Sequence, residues 1–458
     1  VGIFSEHVTV LVAAGTLALI GVPPASATPD PGWGACAKPV APGVECGTLT
    51  VPVDWAKPGG GTVGLRVYRW KAENSKGTIL GFPSGPGQPG DYTFGTLRRA
   101  LPGYDLISLD PRGVGESHPM TCDVDKILKI PYVPPTDAGA FEALKQNQKA
   151  FWSTCTTGVE NLDDHLDAYS TASDADALRR AVGARKVSVY GLSYGTLLGE
   201  RYLEKFGRHV DGSVLEGVMN PGQDRREFMT TAAAGVEAIF TEFARWSDET
   251  PDSALHGQDP ADVFRKARQN AARLPGTFYG LPWSEVMITR YFEIFAPRDF
   301  GEVAKGLKEL AEGRNPFPDE PGGEVPPRRL EYADPTTCSD WPFALPNVEE
   351  ARADLRSARK AAPVVGYSTN SSNYTSICVG GPKTGRPKPV SSRSASPTLL
   401  LSNSLDPATP KVWAEKVQEQ LGGKAIHVVT ERVGHGGGME DPVTLKKVQD
   451  YMASTTRP

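Results

Sequence analysis

The chain has 458 residues, 39% of them hydrophobic and 22% charged, and a formal net charge of −5. That length exceeds what one compact core usually holds, and implies a catalytic unit carrying a sizeable insertion. The mild negative charge, with no Lys/Arg clusters, excludes a phosphate-backbone binder, so no nucleic-acid partner is expected.

Val8 to Val22 is almost wholly apolar and is followed by Pro23-Pro-Ala-Ser-Ala27. The pattern predicts an export signal over residues 1–27, cleaved after Ala27. The run is shorter than the ~20 residues a spanning helix needs. No later segment is apolar enough to cross a bilayer, so a secreted monomer free of the membrane is expected. Six cysteines follow: Cys36, Cys46, Cys122, Cys155, Cys338 and Cys378. An even number in an exported chain reads as disulfides. Sequential pairing (36–46, 122–155, 338–378) is expected because each closes a local loop. None forms a C-x-x-C pair and no Cys/His cluster has zinc spacing, so neither metal nor cofactor is expected.

Gly47–Asp54 and Val63–Trp70 read as an antiparallel pair separated by Pro58-Gly-Gly-Gly61. Thr78–Phe82 and Tyr104–Leu109 are short, nearly continuous apolar runs, as strands buried on both faces of a parallel sheet require. Ala168–Gly183 has helical spacing, with Ser173 as the candidate N-cap. A strand over Lys186–Tyr190, a turn over Gly191–Gly195, a helix from Thr196 to Phe206 and a strand over Val210–Val218 come next.

Beyond Asn220 the character changes. Helical patterns over Arg226–Trp246, Ala261–Arg273, Val303–Ala311 and Val348–Ala362 are separated by Pro-rich breaks. The strand–helix alternation then resumes with Pro397–Ser402, Lys411–Leu421 and Ala425–Thr430. The organisation predicted is an α/β chain with a mostly parallel central sheet and a large helical cap insertion. Core residues span 28–219 and 393–458, and the cap spans 220–392.

The chemistry is concentrated at four turns. Gly191-Leu-Ser-Tyr-Gly195 is a G-x-S-x-G sequence placed between a buried strand and a helix. This is the nucleophile elbow of the α/β-hydrolase fold, with Ser193 as nucleophile. A serine hydroxyl needs a base, and the base an orienting carboxylate, in the chain order Ser, Asp/Glu, His. Only His427 and His435 lie beyond the cap. His427 sits inside an apolar strand and reads as structural. His435, in the Gly-rich loop after that strand, is the candidate base. Asp406, after strand 397–402, is the candidate acid, and Thr409 is placed to hold its rotamer. His435-Gly-Gly-Gly438 has the letters of a lipase oxyanion motif, but that motif belongs before the nucleophile. Oxyanion donors are instead expected from the main chain of Gly87 and Gln88, together with Tyr194. Asp110–Ser117 reads as architecture beside the site.

Phe82-Pro-Ser-Gly-Pro-Gly87, Leu109-Asp-Pro-Arg-Gly-Val-Gly-Glu-Ser117, Gly191-Leu-Ser-Tyr-Gly-Thr196, Leu405-Asp-Pro-Ala-Thr-Pro410 and Gly434-His-Gly436 occur in that order. Together with Glu45–Trp55 they resemble the secreted tripeptidyl aminopeptidases of actinomycetes, relatives of prolyl aminopeptidases. The resemblance covers about residues 36–440 and is weakest across the cap. It implies Ser193, Asp406 and His435 as a triad that releases short peptides from peptide N-termini. Ser84 and Gln88-Pro89 depart from the family's glycine-rich loop, and the cap lacks a cysteine pair after Trp246. An exopeptidase of this kind needs a carboxylate for the substrate's α-amino group. Glu216, Glu227, Glu237 and Glu242 are the candidates near the start of the cap. Two other readings use the same residues, a carboxylesterase or lactonase and a binding protein on an inactive hydrolase scaffold.

Overall fold

The computed structural model describes residues 30–317, 329–381 and 385–456; the predicted export signal lies outside them. Nine strands form one sheet. They are β1 (Gly34–Ala35), β2 (Glu45–Pro52), β3 (Thr62–Trp70), β4 (Thr78–Phe82), β5 (Asp105–Leu109), β6 (Val187–Leu192), β7 (Val210–Glu216), β8 (Thr398–Leu405) and β9 (Ala425–Val433). Their spatial order is β1-β2-β3-β5-β4-β6-β7-β8-β9. The strands from β5 to β9 pair in parallel, and β1–β3 add an antiparallel edge. This is the α/β-hydrolase fold.

Successive side chains of a strand face opposite sides, so the apolar runs of the central strands feed two cores. Leu80, Val189, Leu215 and Leu400 pack on one face with α3 (Ala168–Ala181), α4 (Tyr194–Phe206) and α12 (Lys411–Leu421). Their neighbours Ile79, Tyr190, Val214, Leu399 and Leu401 pack on the other, against α1 (Tyr92–Ala100) and α13 (Pro442–Thr455). A helix, α2 (Ala138–Trp152), precedes α3.

Between β7 and β8 the chain runs through α5 (Arg225–Glu249), α6 (Pro260–Asn270), α7 (Glu285–Phe295), α8 (Phe300–Ala311), α9 (Thr337–Asp340), α10 (Val348–Ala361) and α11 (Thr369–Ile377). Most of these share a separate apolar core, in which Phe240, Phe243, Phe264 and Phe292 meet edge-on or tilted. Arg329–Glu331 returns from this region to pair with Thr121–Asp123 beside the main sheet. The three disulfides join Cys36 to Cys46, Cys122 to Cys155 and Cys338 to Cys378, the sequential pairing expected.

Two helix starts differ from the sequence reading. The helix expected to start at Ser173 starts instead at Ala168. There the Asp167 carboxylate accepts from the N–H groups of Tyr169 and Ser170, and Ser173 bonds back to the Tyr169 carbonyl mid-helix. Asp is as good a cap as Ser, and the earlier start buries a further turn against the sheet. The helix after the elbow begins directly at Tyr194, not at Thr196.

Candidate active site

Ser193 stands between the end of β6 and the first residue of α4 with φ 56° and ψ −123°. Such a backbone costs on the order of 1–3 kcal/mol and persists only where neighbours enforce it. Here the Ser193 N–H donates to the Glu216 carbonyl (2.9 Å), and its carbonyl accepts from Thr196 N (2.8 Å) and Oγ1 (2.7 Å). The flanking glycines are required by contact. A Cβ on Gly191 would lie 2.4 Å from the Gly195 carbonyl oxygen, and one on Gly195 would lie 2.5 Å from that of Phe82. The elbow is therefore wedged between its own helix and the end of β4. Tyr194, first in α4, has a main-chain N–H with no partner among the described residues, as helix starts leave it. That donor and the helix dipole both face charge that develops at Ser193.

Asp406 follows β8 with its side chain wholly out of solvent. Its Oδ1 accepts from the N–H groups of Ala408 and Thr409, each at 2.9 Å, and its Oδ2 from Thr409 Oγ1 at 3.0 Å. His435 Nδ1 lies 2.8 Å from Oδ2 and 3.0 Å from Oδ1. An acceptor-only carboxylate at that distance assigns the proton to Nδ1 and leaves Nε2 free to accept. Burial pulls the imidazole pKa down, but the adjacent Asp406 charge and the more distant Glu216 outweigh it and hold His435 above its ordinary 6.5. The Ser193 hydroxyl makes no hydrogen bond among the described residues, and only the residue's carbonyl and N–H are engaged.

Two residues that sequence reasoning missed in this role hold the His435 loop. Asn403 on β8 donates to the Gly434 carbonyl (2.7 Å) and the Gly436 carbonyl (2.8 Å), gripping the loop on both sides of His435. Glu216, at the end of β7, accepts from Gly438 N (2.6 Å) and the Tyr190 hydroxyl (2.9 Å). Burial raises its pKa, against those two donors. Their position at the carboxyl ends of central strands was the one available signal.

The chain is also similar to named proteins over most of its length. Residues 362–458 match the family described as TAP-like protein. A tripeptidyl aminopeptidase of Streptomyces lividans is 26% identical over 453 residues, covering 89% of this chain and 81% of its own. Serine protease Hip1 of Mycobacterium tuberculosis is 27% identical over 436 residues, covering 84% and 80%. Carboxylesterase B of the same species is 27% identical over 463 residues, covering 90% and 88%. The TAP-like match thus covers the C-terminal part of the chain, and the similarity to two peptidases and an esterase runs over most of its length. The chain is a serine hydrolase.

In this serine hydrolase a narrow cavity of about 40 Å³ opens beside Ser193. Gly85, Pro86, Tyr194, Trp341 and Tyr374 are among the residues that line it. Gly87 and Gln88 do not line it themselves, but their nitrogens lie 2.6 and 2.9 Å from where a Cβ on the lining residue Gly85 would stand. Asp110 is architectural, accepting from Gly90 N (2.8 Å), Glu116 N (2.8 Å) and the Tyr68 hydroxyl (3.2 Å). Arg112 from the same turn forms a fully buried ion pair with Asp174 (2.7 Å).

None of the four glutamates named for an amino group lines the cavity. Glu216 lies under the His435 loop, as described. Glu227 is exposed in the first turn of α5. Glu237 accepts from Val364 N (3.1 Å) and Val365 N (2.9 Å), and Glu242 pairs with Arg245. Helical position set these side chains on faces turned to other partners. His427 bonds Ser402 Oγ at 2.6 Å inside the sheet, a structural role.

Proposed function

We propose that this chain is a secreted serine exopeptidase that releases tripeptides or other short peptides from peptide N-termini through an acyl-enzyme. The observation that carries the reading is the His435 Nδ1–Asp406 bond, 2.8 Å, set beside a strained serine elbow. As Ser193 Oγ bonds to the scissile carbonyl carbon, Nε2 of His435 takes the hydroxyl proton, and the carbonyl π pair moves to oxygen. The Tyr194 N–H, with a second main-chain donor from the turn at 84–88, holds that oxyanion. Collapse expels the amine, which leaves with the proton from His435. Water then attacks the acyl-enzyme, gives its proton to His435, and releases the peptide acid as Ser193 is reprotonated. Thr409 holds Asp406, and no cofactor takes part. Three disulfides support an extracytoplasmic location, where such bonds persist.

A carboxylesterase or lactonase is the second reading, favoured by the absence of a free candidate glutamate at the cavity. Turnover of tripeptidyl-chromophore amides with free and blocked N-termini, against short-chain esters, separates the two. Cleavage of the free-amine amide only is expected; ester turnover with no amide cleavage overturns the exopeptidase. A fluorophosphonate should label the wild type and not Ser193→Ala.

A further inference from the structure

The side chain of the residue after the nucleophile is held from the cap. The Tyr194 hydroxyl donates to Asp340 Oδ2 at 2.9 Å. The other oxygen, Oδ1, accepts the main-chain N–H of Ala168 at 2.9 Å, the first residue of α3. Asp340 ends α9, which Cys338 ties to Cys378 at the end of α11. Trp341, next in the chain, lies 6.4 Å from the Tyr194 ring and lines the Ser193 cavity. One carboxylate thus joins three parts: the elbow, a core helix and the disulfide-linked cap segment.

We propose that Asp340 is a positioning residue, which accepts the Tyr194 hydroxyl and so fixes the main chain whose N–H serves the oxyanion formed at Ser193. The inference rests on Ser193 as nucleophile, not on the choice between peptide and ester. The groups facing Asp340 are Asp167 ahead of α3 and, on α4, Arg201 and Tyr194. Burial raises the Asp340 pKa to about 7 and Asp167 adds to it, while the donors and Arg201 oppose. Tyr194 is pushed well above 10 by burial and by Asp340, so its hydroxyl stays a donor. An ionised Asp340 satisfies both donors. A proton on Oδ2 would force the Tyr194 hydroxyl to turn round, and one on Oδ1 would oppose the Ala168 N–H. Full rate of attack therefore requires Asp340 ionised as well as His435 neutral.

The test is the second-order rate of Ser193 phosphonylation by a fluorophosphonate, measured from pH 5 to 9 in the full chain. Wild type should lose rate through two ionisations on the acid side, with a log–log slope approaching 2. Asp340→Asn and Tyr194→Phe should each react about tenfold slower at pH 8, the loss of one charge-assisted hydrogen bond. Each should also show a single ionisation, because nothing at 340 then transmits its charge to the elbow. Should Asp340→Asn fail to fold, Tyr194→Phe, which keeps the Ala168 bond, decides alone. Wild-type rates and slope in a folded variant overturn the inference, as does a slower variant with an unchanged slope. A wild type that does not label overturns the nucleophile assignment itself, a distinguishable outcome.

Discussion

Replacing Asp406 by Asn alters one atom of the site and tests the acid–base geometry most directly. Oδ1 faces two main-chain donors, Ala408 N and Thr409 N, each at 2.9 Å, which cannot turn away. The amide oxygen must take that position, which puts the NH₂ group where Oδ2 now meets Thr409 Oγ1 and His435 Nδ1. Thr409 can rotate its hydroxyl to accept. His435 Nδ1 keeps an acceptor at 3.0 Å in Oδ1, but that oxygen already takes two main-chain donors. The NH₂ now 2.8 Å from Nδ1 favours moving the proton to Nε2, where the lone pair for Ser193 is lost. The cost of the wrong tautomer in a Ser-His-Asp site is about 10⁴ in kcat. At 1.36 kcal/mol per tenfold, that is about 5.4 kcal/mol of barrier. Packing is unchanged, so the variant should unfold in a single cooperative transition close to the wild type. The measurement is kcat on the best ester or amide substrate at pH 8, with calorimetry as the control for folding. A folded variant that keeps more than about a tenth of wild-type kcat refutes the tautomer argument.

Thr409→Val removes one hydroxyl bond to Asp406 and leaves its main-chain donors, so kcat should fall only about fivefold, the worth of ~1 kcal/mol; a loss near that of Asp406→Asn would mean Thr409 does more than orient. With His435 held above 6.5 by Asp406, kcat/KM should fall as pH drops through a value above 6.5, since the neutral imidazole is the base; an acid limb centred below 6.5 contradicts this. The same raised pKa means the protonated pair stabilises the fold below pH 6.5, a contribution lost as pH rises through the folded value. Gly195→Ala brings a Cβ to 2.5 Å from one carbonyl oxygen and 2.6 Å from another, both main chain. It should cost about 1–3 kcal/mol in thermal unfolding and at least tenfold in fluorophosphonate labelling; unchanged labelling would show that the elbow tolerates displacement.

The features legible in the sequence are those set by local sterics and by periodicity. Continuous apolar runs at Thr78–Phe82 and Tyr104–Leu109 announced strands buried on both faces, since only such strands dispense with alternation. The glycines around Ser193 announced an elbow, because a backbone crossing that tight admits no Cβ. Asp406 and His435 followed from chain order and from their place after strands, and the cysteine pairs from local loop closure. Helix α7, Glu285–Phe295, was missed; its aromatic-rich sequence packs among Phe240, Phe264 and Trp283, contacts that only the fold brings together. Asn403, Glu216 and Asp340 acquire their roles only through partners brought from distant parts of the chain: the His435 loop for the first two, Tyr194 and Ala168 for the third. The glutamates read as amine receptors failed for the same reason, since a carboxylate's role depends on which donors the fold turns towards it. Local geometry placed Ser193 at the elbow; tertiary packing decided what grips the His435 loop and what accepts the Tyr194 hydroxyl.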